Sequence, residues 1–532
     1  MSAEPRESPG RLDRFGPFVL LLLGLALLVL SSRHKRLSND EWFNLDYGRS
    51  FLEEGPRLQA SPHLPSLALN ALACLPEKCD RASLDRDGPR RMLVRAPSMA
   101  FTLLLGWLVY SWARKLLGRR PALLALLLYV FNPNFLAHGK EVTGDVATSF
   151  FTLLAAYGAW VACERSAFRG ISISSLGLAG ALLSKYTSLI LIPLLGVAVL
   201  WRALKGGTLR PGRVILGALA VLLLALVLVN VPYGFGGFGT LAKDYPFESR
   251  ALKAWGGGAV PIPLPRAYVL GFDFLLLFQE QPTLQRGMNY ALGHLSWKPL
   301  WYAFPLMFLL KTPLGFFGLL LIGGFRGGLP QNARVFLALP CAGILFLFAV
   351  FVGPQMGVRY LLPAFPFLMI AAAQAGRPPL SQRTLVATSL LALWNVVSTL
   401  SYHPHYMCYF NELIGSRLHA YRFLADSNLD WEDRSFFIGE FVRSHPELTI
   451  AVDPPSPRPG YVLVGANKLV GILDRRRYRW LRRNFEPIAH VGYSYLLFYV
   501  PPERLREILE QAPSREEPAG VVTPLFSPWP EG

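Results

Sequence analysis

The sequence predicts an α-helical polytopic membrane protein with a small α+β domain on the extracytoplasmic side. Three observations carry this. Hydrophobic residues make up 52% of the 532 positions and the mean hydropathy is +0.33, more apolar than is usual for a soluble chain of this size. Apolar runs recur from one end to the other, several near the length of a bilayer crossing. The short loops between them alternate between rich and poor in Lys and Arg, which distinguishes the cytoplasmic from the outer side. The net charge of +18 is therefore read as cytoplasmic loops facing membrane lipids, with no nucleic-acid partner implied. Five cysteines in this length do not make a disulfide scaffold.

Taken in order, residues 17–30 (PFVLLLLGLALLVL) follow three arginines and end in Ser31-Ser32 and Arg33-His34-Lys35-Arg36. No small-residue cleavage site follows, so 17–31 is read as an uncleaved first span, a signal peptide being the other reading. Further spans are expected at 91–112, 121–136, 146–162, 171–184, 187–201, 214–231, 300–322, 335–352, 360–375 and 384–400, eleven in all. Read as one helix, 171–201 would run about 46 Å. Arg165 and Arg169 precede it, and Arg202, Lys205, Arg210 and Arg213 follow. Both flanks belong in the cytoplasm, so a hairpin turning near Lys185 is expected. The same rule puts the N-terminus inside and the C-terminus outside. Arg33, Lys35 and Arg36 run against it, but they open a loop of about 60 residues, where the rule loses force.

Three outer segments are large. The first is 32–90. The second, 232–299, holds an apolar stretch 267–278 interrupted by Asp273, expected to lie in the interface. The third begins at 401, after a membrane domain of 1–400. Strand-like runs at 449–453, 461–466 and 489–500 and the helix-like ERLREILEQ predict a domain over 401–512. The Pro-rich tail 513–532 is expected to be disordered.

Chemistry is expected in the first outer loop. Asp40-Glu41 stand about ten residues beyond an apolar helix; paired carboxylates there can serve as general base or as ligands of a divalent metal. A solvated acidic turn is the plain alternative. Lys311 falls inside an apolar run, where a charge is a functional candidate unless it snorkels to the interface. Cys74 and Cys79 close CLPEKC in a compartment that permits a disulfide. Other signals carry less. Gly234–Gly239 matches a nucleotide-binding glycine pattern but precedes no suitable helix. His403 and His405 lack a third metal ligand. The arginines from Arg475 to Arg483 read as a solvated face or, second, a contact for anionic headgroups.

The order of an acidic pair after span 1, then His63-Leu64-Pro65, then Arg95-Ala96-Pro97-Ser98 at the head of span 2 resembles the GT-C glycosyltransferases. It is most similar to the bacterial relatives of protein O-mannosyltransferases and of the lipid A aminoarabinose transferase. FNPNFLAHGKEVTGDVATSFF, LSKYTSLILIP, NYALGHLSWKPLWYAFPLMFLLKTPLGFF and GVRYLLPAFPFLMI resemble later family segments. SYHPHYMCYFNELIGSRLHAYRFLADSNLDW resembles the stretch after the last span in phospholipid-carrier-dependent glycosyltransferases. The chain departs from the pattern at His63-Leu64-Pro65, His294, Ser416 and Glu432-Asp433.

The resemblance implies a GT-C fold in a bacterial inner membrane, with a cytoplasmic N-terminus and a periplasmic C-terminus. It implies a polyprenyl-phosphate sugar donor and a protein, lipid or glycan acceptor. Asp40, with Glu41, would be catalytic; Lys185, Arg359, Arg95 and Lys311 would bind the donor phosphate; Asp145, His63, His294 and Tyr290 would contact substrate. The competing reading is a transporter or lipid flippase, which usually shows repeated halves and small extramembrane parts. A third is a non-catalytic scaffold of the same fold.

Overall fold

The computed structural model describes residues 11–56, 62, 64–74, 80–206, 211–255, 258–281, 288–353, 355–431 and 435–511. Among them, nine helices are long and apolar enough to cross a membrane, from Phe15–Ser32 to Gln382–Leu400. A tenth crossing results if Ala303–Leu310 and Leu314–Arg326, bent by 96°, are taken as one. The protein is thus an integral membrane protein, but the expected stretch 121–136 is not one long helix. Helix Arg119–Val130 has 12 residues, and Asn132 ends the run by capping the next helix, Pro133–His138. Its side-chain oxygen accepts from the amides of Asn134 (3.0 Å) and Phe135 (3.3 Å), a cap that starts a new helix instead of continuing the old one.

The inner and outer helices of the bundle divide by burial. Val358–Gly376 and Asp145–Glu164 are the most enclosed, whereas Gly212–Tyr233 and Gln382–Leu400 face mostly outward. Helices Asp145–Glu164 and Ala167–Ser184 form a tight antiparallel hairpin through Arg165-Ser166. Small residues make the close approach possible. A Cβ at Gly158 would come within 2.3 Å of the Ser174 amide nitrogen, and one at Gly177 within 2.3 Å of the Ala155 nitrogen. Small residues at such spacing let helices meet where no hydrophobic force acts between them in lipid. The second helix stops at Lys185, which is extended, before the next run Tyr186–Lys205. The chain thus breaks at Lys185, where a tight hairpin is expected, but helix Ala167–Ser184 packs on its neighbours Asp145–Glu164 and Pro211–Asn230 and not against the run that follows the break.

The 96° bend follows from Pro313, which supplies no amide hydrogen to continue a helix. Asn411 fills the vacated positions: its Nδ2 donates to Leu309 O (2.6 Å) and Thr312 O (2.8 Å), and its amide to Leu310 O (2.8 Å).

Outside the bundle, helix Arg266–Glu280 has 15 residues, too few to cross. Asp273 interrupts its apolar face because its carboxylate accepts from the Glu248 and Ser249 amides (2.8 and 3.1 Å) and from Ser249 Oγ. Phe235, Phe238, Trp255, Trp297 and Trp301 are exposed in this region, the aromatic composition of a membrane–water interface.

The C-terminal sheet has strands β3 (Ile450–Val452), β4 (Gly460–Gly465), β5 (Ala489–Val491) and β6 (Tyr495–Val500), in the order β3-β4-β6-β5; a separate hairpin pairs β1 (Asn289–Ala291) with β2 (His294–Ser296). β3 and β4 are parallel, the other pairs antiparallel. Side chains alternate across it: Val462, Val464, Leu496 and Phe498 join the main core, while Leu463 and Leu497 pack under Phe437 and Phe441 of helix Ser435–Ser444. The segment 401–431, expected as the start of this domain, instead packs into the bundle, with Tyr402, Tyr409 and Leu424 buried. Cys74 is disulfide-bonded; its expected partner Cys79 lies outside the described residues, as does the tail 513–532.

Candidate active site

The acidic pair sits in the first turn of helix Asn39–Glu54. Ser38 and Glu41 form a capping box: Ser38 Oγ accepts from the Glu41 amide (3.2 Å), and Glu41 Oε2 from the Ser38 amide (2.9 Å). This fixes the direction of Asp40, one residue before Glu41 and so roughly 100° away around the helix. Asp40 Oδ2 accepts from Arg359 Nη1 at 3.1 Å, and its side chain remains 47% exposed. The positive end of the helix favours a carboxylate there.

Glu41 faces the opposite way and is fully buried. Arg95 Nε and Nη2 donate to its two oxygens at 2.8 Å each, and the Val142 amide adds a bond of 3.2 Å. Burial pushes the Glu41 carboxyl upward, as does the Glu141 carboxylate nearby, and the Arg95 guanidinium pulls it back. Both oxygens are spent on N–H donors, so Asp40 and Glu41 do not form a chelating pair. Among the described residues no group of three or more His, Cys, Asp or Glu could hold a metal ion. Arg95 is equally committed: besides Glu41 it donates to Ser32 O, Lys35 O and Arg36 O. It ties span 1 to span 2 and has no face left for a phosphate. Glu41, expected as catalytic, and Arg95, expected to bind phosphate, are thus paired with each other in a buried joint beside Asp40.

Asp145 begins one helix of the small-residue hairpin and Lys185 ends the other, so the fold brings them to the same end. They form a close ion pair, with Asp145 buried and Lys185 15% exposed. Lys185 Nζ lies 5.0 Å from the Tyr360 ring centroid and Arg359 Cζ 5.8 Å from the same ring. The two cations therefore converge on one aromatic residue, each beside its own carboxylate. Arg359 Cζ also stacks 4.7 Å from the Trp431 ring. An opposite-charge cluster of this kind, with one carboxylate open, can take up a proton and hold an anion together.

Lys311 does not join it. Its buried ammonium donates to Met407 O (2.7 Å) and Asn428 O (2.6 Å). It does not snorkel to the interface, being 1% exposed, and it ties the helix bend to the segment 407–428. Tyr290 is likewise structural, its hydroxyl donating to Tyr421 O at 2.9 Å under the β1–β2 hairpin. His294 is partly exposed on β2, with Nδ1 3.1 Å from Tyr302 Oη, and no contact joins it to the cluster. His63 lies outside the described residues.

The sequence reading missed His138 and Asp426. His138 is buried, edge-on to Trp431 at 5.1 Å. Burial, with Arg359 and Lys311 adding to it, holds its pKa down to about 3 against the pull of Asp145, so it is neutral at pH 7. Asp426 lies in the turn whose Asn428 accepts from the Val358 amide, next to Arg359, and the Arg359 charge acts on its carboxyl against the upward push of burial. A local signal for Asp426 existed in the DSN turn of LADSNLDW; for His138 there was none.

The comparisons agree with this fold. The profile of the dolichyl-phosphate-mannose-protein mannosyltransferase family matches residues 88–233. No curated protein matches the sequence. Among solved structures, the chain is similar to ArnT from Cupriavidus metallidurans bound to undecaprenyl phosphate, with TM-score 0.50 and 11% identity over 91% of this chain and 98% of that one. The apo state of the same protein gives TM-score 0.48 and 12% identity over the same shares. The Archaeoglobus fulgidus oligosaccharyltransferase in complex with Zn and sulfate gives 0.42 and 13% over 74% and 52%. The chain resembles the GT-C glycosyltransferases, as its motifs implied, and has an ArnT-like GT-C fold with a small sheet domain.

Proposed function

We propose that this protein transfers a sugar from a polyprenyl-phosphate donor to an acceptor on the extracytoplasmic face of the membrane, with inversion at the anomeric carbon. The observation that carries the reading is the open carboxylate of Asp40, held by Arg359 at 3.1 Å beside the Asp145–Lys185 pair. Asp40 takes the proton from the acceptor hydroxyl or amine. The freed electron pair attacks the anomeric carbon from the side opposite the lipid phosphate, whose bond to the sugar breaks. The leaving phosphate then gains negative charge, and Arg359 and Lys185 sit where a cation stabilises it. Glu41 and Arg95 act at one remove, by fixing the turn that carries Asp40. The fold shared with a protein crystallised with undecaprenyl phosphate supports a lipid phosphate as the carrier.

The test incubates purified protein with a panel of undecaprenyl-phosphate sugars and acceptor-containing membranes, and follows release of free lipid phosphate. Release by wild type, and its loss in Asp40→Asn, is expected. Movement of intact sugar lipid across vesicles without release would favour a flippase instead.

A further inference from the structure

Asp426 stands in an unusual position. It adopts φ +57°, a conformation that side chains rarely take and that persists where the surroundings hold it. Here they hold it from several sides. Its amide donates to Asn467 Oδ1 (2.7 Å), and its carbonyl accepts from the Leu429 and Asp430 amides. Two residues on, Asn428 Oδ1 accepts from the Val358 amide (3.1 Å), next to Arg359, and Asn428 O accepts from Lys311. Gly357 lets the two strands of chain meet: a Cβ there would lie 3.0 Å from Ser427 Cβ. The backbone is therefore fully committed.

The side chain is not. Among the described residues, its carboxylate is met only by the adjacent Ser427, through the amide and a long bond from Oγ at 3.5 Å, which leaves acceptor positions open. The turn that carries Asp426 is joined to the Arg359 segment on both sides, through Asn428 to the Val358 amide and through Trp431 stacked on Arg359, and its carboxyl, raised by burial, is opposed by the Arg359 charge. The same wall carries two more uncommitted polar atoms. Among the described residues, Trp431, 8% exposed and stacked on Arg359, has no partner for its indole Nε1, and His138, 2% exposed against Trp431, has none for its Nδ1. An acceptor-only carboxylate, an indole donor and a neutral imidazole around a guanidinium match a ring bearing several hydroxyls next to a phosphate.

We infer that Asp426 is a specificity-determining residue that accepts hydrogen bonds from the hydroxyls of the donor's sugar, with Trp431 and His138 completing that wall. The inference rests on the proposed lipid-phosphate sugar donor.

The test compares wild type and Asp426→Asn in nanodiscs for binding of undecaprenyl-phosphate sugars and of bare undecaprenyl phosphate. Asn tolerates the left-handed backbone, so the turn is kept and only the charge and acceptor capacity change. The ratio of the two affinities should shift by about tenfold against the sugar lipid, the scale of a charged hydrogen bond, with bare-lipid affinity nearly unchanged and KM for the donor raised. An unchanged ratio overturns the assignment while leaving the donor reading intact. A rise confined to the acceptor's KM also overturns it. Failure of wild type to bind any sugar lipid or release lipid phosphate defeats the donor reading, and the role of Asp426 with it. As a folding control, Asp426→Gly should keep bare-lipid binding and lose the sugar preference to the same degree.

Discussion

At the scale of single residues, neighbours in sequence take opposite roles. Asp40, the expected base, is 47% exposed on Arg359, while its neighbour Glu41 is sealed under Arg95. Asp40→Asn should therefore lose about 10²–10⁴-fold in turnover, the usual worth of a general base, with folding and donor binding retained. Glu41→Gln should behave differently: it removes one partner of a buried ion pair, which typically costs about 3–5 kcal/mol, so it should appear as lost thermal stability and expression. Turnover per folded molecule settles the matter; equal losses in both variants would falsify the division. His138 gives a pH prediction. Its folded pKa of about 3 lies below its unfolded value near 6.5. Between those values the unfolded chain takes up a proton that the folded one refuses, so stability falls as pH drops through this window, by at most about 1.4 kcal/mol per unit. His138→Gln should flatten the melting temperature between pH 6.5 and 4.5 relative to wild type; parallel curves would show that His138 does not titrate this way. Of the expected residues, the fold brings together Asp40, Asp145, Lys185 and Arg359, each at the end of an apolar run that the sequence shows. It ties Arg95, Lys311 and Tyr290 to other buried partners, a placement that leaves no trace in composition.

At the scale of elements, the site depends on two devices far from it. The hairpin 145–184 delivers Asp145 and Lys185 to one end only because its helices touch backbone to backbone at Gly158 and Gly177. Gly158→Leu should force the helices apart, at a cost of about 1–3 kcal/mol or more for overpacking, and should reduce donor use together with Lys185→Ala. A Gly158→Leu protein with normal melting and turnover would show that the hairpin tolerates separation. The bend at Pro313 is the second device. Through Asn411 and Lys311 it locks the segment 407–428, and that segment carries Asp426 to Arg359. Apolar runs and charged flanks made most helices and the break at Lys185 readable, and the three strand-like runs cover the C-terminal sheet, although 489–500, one run in the sequence, divides into β5 and β6. Two features escaped. The 121–136 run is divided by the Asn132 cap, which an apolar count overlooks. The placement of 401–431 in the bundle depends on side-chain-to-carbonyl bonds such as those of Asn411, which connect residues about a hundred positions apart.

At the scale of the whole molecule, charge sorts to the two ends of the bundle. Asp40, Asp145, Lys185 and Arg359 gather at one end. At the other, Arg202 pairs with Glu164, Arg165 stacks 5.3 Å from Trp160, and Arg326 Nη2 donates to Pro379 O. Lys and Arg concentrate in cytoplasmic loops, and on that rule we propose that the second end faces inside and the site outside. The residues that ran against this rule now have a physical explanation. Lys35 is buried, and Arg36 lies 4.8 Å from the Phe436 ring and 3.8 Å from Asp85. Their charges are absorbed by the folded outer loop and by helix Ser435–Ser444, and do not mark a cytoplasmic side. That contact also links the first outer loop to the C-terminal domain, so both must lie on one face of the membrane whatever the number of crossings between them. Reporter fusions test it directly. A reporter active only in the cytoplasm should give signal at residue 205, and one active only outside should give signal at residue 440. Cytoplasmic activity at 440 would place Phe436 across the membrane from Arg36, which the fold forbids, and would remove the outer face from the assignment of Asp40.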